Sequence, residues 1–323
     1  MNPSTMPACL RMKTLYRILP HWLVALLALM GGLVFFDLGY YVRLGEIILE
    51  QRAIPNQDFF THTFAGLHYV NSGWLSQVLL ALAHRAGGLE LLLVLQTLLI
   101  GLGMGTLFEH LRRDTGNAMV TLVFGVLAIL LGISNWGLRP QLFILPLFAV
   151  FVWILSQPAA LSLGRIAWLV GLMALWVNLH SSFVLGLGLV GIHLVGRTLD
   201  RISAGQRWHA LVEDTVLRRL LLLLILLLPI TLLNPFGIDI WGEVWANSTV
   251  SRGRVSEWQP TTMNGLPGIA FGASVVLTAL LLGTSRRRLD WTEGLLLAVF
   301  MLAGFSSLRL VLWWSIVSAP ILA

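Results

Sequence analysis

Asp37 closes the motif FFD at the edge of a long apolar run, and it is the first residue of this chain with the makings of chemistry. A carboxylate at the centre of a membrane helix costs about 2.5–3.5 kcal/mol on insertion scales, and less near the edge. Asp37 therefore reads either as an ordinary helix-end residue or as a general base or metal-oxygen ligand. Asp58, in IPNQD (54–58), follows the Pro55 turn and is either an Asx-type turn residue or a second carboxylate near Asp37. A divalent cation such as Mg or Mn would favour the second arrangement, with Asp37 and Asp58 as ligands.

Arg139 stands before Pro140 in LRPQ, a pairing that suits the first turn of a helix. Its guanidinium is suited to grip a phosphate with two parallel hydrogen bonds, although an interfacial arginine of no special role fits the same place. Asn178 and His180, in WVNLHSSF, flank a break between two apolar stretches. They read as a hydrogen bond to a neighbouring helix or as ligand contacts, with His180 a conceivable proton carrier. Trp258, in SEWQP, fits an interfacial anchor, and its aromatic face also suits a sugar ring or a lipid. Over 40–51 (YYVRLGEIILEQ), Tyr40/Tyr41, Leu44 and Ile47/Ile48 share one helical face, with Arg43, Glu46 and Glu50 on the other. That pattern predicts a helix lying in the headgroup layer, its two glutamates solvated and Arg43 a further substrate contact. His21, His110, His193 and His209 have no partner the sequence can name.

The elements that must position these residues are apolar. With 57% hydrophobic and 11% charged residues and a mean hydropathy of +0.83, the composition excludes a soluble globular protein. Runs near the roughly 20 residues that a spanning helix needs recur throughout, and no short alternating barrel strands occur. The expectation is an all-α polytopic membrane protein, one transmembrane domain over 1–323. The net charge of +6 comes from dispersed basic residues, which points to short membrane-flanking loops and not to nucleic acid. Cys9 is the sole cysteine, so an intrachain disulfide is impossible. The apolar run 22–36 lacks a small-residue cleavage site and reads as an uncleaved first helix.

About ten spans are predicted: 19–36, 89–109, 117–133, 140–156, 164–178, 183–197, 219–233, 268–284, 291–305 and 309–323. Segment 74–86, stopped by Gly87-Gly88, is too short to cross and reads as an interfacial helix. With the N-terminus inside, 14 of the 21 basic residues fall on the cytoplasmic side, in what read as plain connectors. The outer side then collects the long loop 37–88, SNWGLRPQ, VNLHSS, the loop 234–267 and SSLR (306–309). No repeat of 20–50 residues and no P-loop, HExxH or CxxC motif occurs. The chain ends inside an apolar run (ILA), as a piece of a longer protein would.

DLGYYVRLGEIILEQRAIPNQDFF, VNSGWLSQVLLALAHRAGG, LRPQLF, WVNLHSSF, LNPFG and SEW follow one another in this order. From about residue 30 onward the chain resembles bacterial multipass proteins of the glycosyltransferase C superfamily, which includes protein O-mannosyltransferases and the lipid A aminoarabinose transferase. The resemblance implies an inner-membrane protein that transfers a sugar from a polyprenyl-phosphate donor to an acceptor at the periplasmic face. It also implies a long first outer loop with two juxtamembrane helices, and places the loop-one acidic residue on Asp37. Where such proteins often carry a second acidic residue, this chain has Gly73 in Asn71-Ser72-Gly73-Trp74-Leu75. That departure leaves room for two alternatives: a protein that binds polyprenyl lipid without turnover, or a transport or scaffold subunit of the envelope.

Overall fold

The computed structural model describes residues 22–33, 37–63, 65–249 and 258–323. Among these residues the fold is all-α, and the only extended pairing is an isolated antiparallel bridge between Gln57 and His68. Helix α1 covers 22–30. It is followed by α2 (Leu38–Gln51), α3 (Trp74–Thr115), α4 (Ala118–Gly132), α5 (Ile144–Leu155), α6 (Leu163–Leu179) and α7 (Val184–Ser203). The second half holds α8 (Trp208–Glu213), α9 (Thr215–Ile230), α10 (Asp239–Thr249), α11 (Leu266–Thr284), α12 (Trp291–Ser306) and α13 (Val311–Leu322). Four helical stretches are long and apolar enough to cross a membrane: Trp74–Thr115, Ala118–Asn135, Ser181–Ser203 and Leu266–Thr284. Pro140–Leu155, Leu163–Leu179, Trp291–Ser306 and Leu308–Leu322 are apolar but shorter. The chain is a helical membrane protein.

Helix ends fall where local chemistry stops the backbone ladder. Asn117 caps α4 by accepting from the Met119 and Val120 amides, and Gly116 ends α3 in the left-handed region. Asp214 caps α9 through the Val216 and Leu217 amides. Asp290 and Glu293 form a reciprocal capping box at α12. Two expected elements differ. The run 19–36 is helical only over 22–30 among the described residues, because Gly32 turns left-handed at φ +62°. Segments 74–86 and 89–109, expected as separate helices, run together as α3, broken by non-helical backbone at Gly87 (φ −160°, ψ 26°) and Gly88 (φ 60°, ψ −148°).

At the centre lies α13, buried on every side from Val311 to Ala319, as an apolar helix without a polar face must be. Trp313 and Phe148 of α5 meet at 4.7 Å between ring centroids, and Phe151 meets Trp176 of α6 at 5.4 Å. Helix α2 buries Leu38, Val42, Leu44, Ile47 and Ile48, and it lies on α3 as well as at the surface. The approach is so close that a Cβ on Gly45 would stand 2.0 Å from the Gln77 carbonyl oxygen. The polar face of α2 is consumed in exposed ion pairs. Arg43 reaches Glu46 at 3.1 Å and Glu50 at 3.5 Å, and Arg85 reaches Glu50 at 3.1 Å.

Gly45 thus sets the spacing of α2 on α3. Gly45→Val should push the helices apart and destabilise the protein by about 1–3 kcal/mol, the usual range for overpacking. Thermal unfolding in detergent reads this directly, and an unchanged midpoint would contradict the close contact.

Candidate functional site

Asp37 occupies the N-cap position of α2, and its backbone carbonyl accepts from the Tyr41 amide at 3.1 Å, but its side chain makes no cap hydrogen bond. Its carboxylate turns instead to Arg139, with Oδ2 3.4 Å from the guanidinium Nε. The Asp37 side chain is 49% exposed and that of Arg139 only 18%, so the cation is the more desolvated partner. Arg139 is extended (φ −134°, ψ 165°), as a residue before proline is driven to be, and Pro140 then opens a 3₁₀ turn into α5.

The same turn delivers Gln141, whose amide oxygen accepts a hydrogen bond from Arg309 Nε, 168 residues further along. Arg309 sits in the turn that enters α13, capped by the Ser307 hydroxyl. Its guanidinium lies 5.2 Å above the Trp258 ring, within cation–π range. Tyr41 of α2 joins the group: burial raises its phenol, Asp37 raises it further, and Arg309 and Arg139 oppose the shift. One carboxylate, two guanidiniums and a phenol from three separate stretches of chain therefore act on one another.

Two cavities flank this cluster. The first, about 280 Å³, lies between α1, α3 and the 133–139 turn, with Gln96, Asn135, Trp136, Arg139, Gln141 and Arg309 on its wall. Gln96 gives its amide N–H to the Gly32 carbonyl at 3.0 Å, while its Oε1 and the Trp136 indole N–H are buried without a partner. A buried donor or acceptor left unmade costs about 1–3 kcal/mol, so two on residues of one cavity wall form a concentrated polar defect. The second cavity, about 210 Å³, is mainly apolar, with Val184, Leu185, Val244, Leu310 and Trp313 on its walls and His180 and Trp258 beside them. Gln141 and Arg309 belong to both walls.

His180 lies in the break between α6 and α7, and its Nδ1 accepts from the Ser182 amide at 3.0 Å. Burial, and secondarily the Arg309 cation, bring its pKa down to about 3. The ring is neutral at physiological pH, with its proton on Nε2, and is a donor there, not a carrier of charge.

Other residues singled out from sequence stand elsewhere. Asn178 holds the scaffold together: its Oδ1 accepts from Trp74 Nε1 at 2.9 Å, and its amide donates to the Ala174 and Leu233 carbonyls. Asp58 closes an Asx turn, accepting from the Phe60 and Thr61 amides and the Thr61 hydroxyl. Those bonds, the hydroxyl first, hold its carboxyl below the usual range. Arg43 is engaged with Glu46 and Glu50 on the outside of α2. Among the described residues no group of three or more His, Cys, Asp or Glu is placed to hold a metal ion. Gly73 lies against the site, where a Cβ would stand 3.4 Å from Pro140 and 3.5 Å from the Leu179 carbonyl oxygen.

The opposite end of the bundle is more than a set of basic connectors. Asp214 pairs with Arg197 at 3.2 Å and Arg201 at 2.6 Å. A cavity of about 420 Å³ there is bordered by His110, Asp114, His193, Arg197, Arg287 and Glu293. His110 Nε2 lies 2.9 Å from both Asp114 and the Ser156 hydroxyl.

Compared with family models, curated proteins and solved structures, the chain matches none.

If Asn178 is a structural tie, Asn178→Leu strands the Trp74 indole N–H and the Leu233 carbonyl. At about 0.5–1.5 kcal/mol for each hydrogen bond lost, the unfolding midpoint should fall measurably. A variant that melts with the wild type would return Asn178 to the list of ligand contacts.

Proposed function

We propose that the chain is a glycosyltransferase-like protein of a bacterial inner membrane, taking a sugar from a polyprenyl-phosphate donor to an acceptor hydroxyl. In this reading about ten spans cross the bilayer, with the N-terminus cytoplasmic and the Asp37–Arg139 cluster at the periplasmic face. The family resemblance of the sequence supplies the reaction. The observation that carries the proposal is the 3.4 Å pairing of Asp37 with Arg139, beside a cavity whose wall holds a second arginine.

The chemistry asks little of the protein. A lipid phosphate is a fair leaving group, so the two needs are a base for the acceptor proton and positive charge for the departing phosphate. The acceptor oxygen attacks the anomeric carbon and the bond from that carbon to the phosphate oxygen breaks. The hydroxyl proton passes to Asp37, and the bonding pair leaves with the phosphate toward Arg139. A carboxylate held by a guanidinium is a poor base. Donor binding resolves this, since the phosphate oxygens compete for Arg139 in a two-pronged contact and release the carboxylate. One carboxylate suffices for direct displacement, which inverts the anomeric centre; a two-step retaining route needs a second. Gly73 leaves that second position bare, so inversion is the expected outcome.

Asp37→Asn should lower transfer by about 10²–10⁴-fold, the usual contribution of a general base, and leave membrane insertion unchanged. The assay uses purified protein in lipid with labelled polyprenyl-phosphate sugar and a pool of candidate acceptors. Undiminished transfer in Asp37→Asn would remove Asp37 from the reaction. Binding of the donor without release of sugar by the wild type would favour a lipid-binding protein without turnover.

A further inference from the structure

At the end of the bundle away from Asp37, α7 lays Leu189, His193, Arg197 and Asp200 along one wall of the 420 Å³ cavity, from apolar to charged. Residues four apart share a helix face and stand about 6 Å apart along its axis. Leu296 of α12 and Val317 of α13 continue the apolar end, and Arg287 and Glu293 the charged end. His193 stands at the join. It is only 6% exposed, and among the described residues neither ring nitrogen has a hydrogen-bond partner. Unlike Gln96 Oε1 and Trp136 Nε1, these nitrogens are not sealed off, and the space that the ring borders is this cavity. A buried imidazole without a partner is costly to the fold, and it still has an N–H and a lone pair to offer.

The charged end holds more acid than base, with Asp114, Asp200, Asp290 and Glu293 against Arg197 and Arg287. Much of that acid is already engaged. Asp200 accepts from the Trp291 amide, Asp290 and Glu293 cap α12, and Glu293 also holds Arg287. Asp114, 40% exposed, meets only His110 among the described residues. Asp214 holds Arg197 through Nη2, which leaves the Nη1 donors over. Ser156 and Asp114 both reach His110 through Nε2. A nucleophile relay needs them on opposite ring nitrogens, so the cluster is built to bind and not to attack.

We infer that this cavity holds a glycerophospholipid whose head carries a primary ammonium, the phosphoethanolamine class. The ammonium meets Asp114, the phosphate lies between Arg197 and Arg287, and the His193 N–H donates to an ester carbonyl. An acyl chain then runs along Leu189, Leu296 and Val317. The order along α7 is that of the lipid: one turn inward from Arg197 comes His193, and one turn further comes Leu189, as phosphate, ester and hydrocarbon follow one another. The surplus of acid counts against an anionic lipid. Asp114 needs N–H donors, which a trimethylated head lacks. The site does not depend on sugar transfer.

The test uses the whole chain, delipidated in detergent and titrated with phosphatidylethanolamine, phosphatidylcholine and phosphatidylglycerol of identical chains. Native mass spectrometry reads the lipid retained. Wild type should retain phosphatidylethanolamine over the other two, and soluble O-phosphoethanolamine should displace it poorly. His193→Leu should weaken that binding about threefold to tenfold, the worth of one hydrogen bond, and His193→Gln should recover part of it. Asp114→Asn should erase the preference for phosphatidylethanolamine over phosphatidylcholine. Should His193→Leu fail to fold, His193→Gln and Asp114→Asn still decide. A purely structural His193 would change the melting point and leave lipid selectivity alone. Equal retention of the three lipids, a preference for phosphatidylglycerol, or full displacement by O-phosphoethanolamine would each overturn the assignment. So would wild-type selectivity in the histidine and aspartate variants alike.

Discussion

Arg139 is a cation with less than a fifth of its side chain exposed, in a chain of which only 11% is charged. A guanidinium cannot shed its proton to escape a poorly solvated site, so it must be met by acceptors. Much of the local architecture follows from that requirement. Pro140 drives Arg139 into an extended backbone, α2 begins at Asp37 to bring a carboxylate within 3.4 Å, and Gly45 lets α2 lie close enough on α3 to hold that position. Arg309 poses the same problem on the other side of Gln141, and it is answered by an amide oxygen and an indole face.

The result is a division of labour along the bundle. Aromatic packing around α13 makes a rigid centre, with Trp176, Trp313 and Trp314 fully buried. Polar residues that only hold helices together, such as Asn178 and the paired amides of Asn71 and Gln77, have their hydrogen-bonding groups filled by the protein. Gln96 Oε1 and the Trp136 indole N–H are buried without a partner, on residues of the cavity wall that also holds Arg139 and Arg309. Buried hydrogen bonding left unfilled beside fixed positive charge is a poor way to stabilise a core.

How much of this was legible depended on the range of the interactions. Helices, Gly-Gly breaks and proline entries are local, and the sequence displays them: Gly87-Gly88 interrupts α3, and Pro140 opens a turn. Asp37 and Arg139 stood out because charges are scarce beside apolar runs. Gln141 and Arg309 did not, since their bond spans 168 residues and neither residue carries a periodic signal. Tyr41, Gln96 and Trp136 looked like ordinary helix or interface residues. For three other residues local reading offered a structural contact beside a ligand contact, and the structural contact is the one formed here. Asp58 is satisfied by its own turn, Arg43 by glutamates on its own helix, and Asn178 by a tryptophan 104 positions away. The charge count along the chain also hid the acidic and histidine side chains gathered at the opposite end, where Asp114, His110 and His193 share a cavity with Arg197.

The account stands or falls on where an isoprenoid phosphate sits. A cryo-electron microscopy structure of the chain in a nanodisc with polyprenyl phosphate would locate the phosphorus. Density within hydrogen-bond reach of Arg139, beside Asp37, is the predicted result. Polyprenyl phosphate at the far end of the bundle, between Arg197 and Arg287, would contradict it.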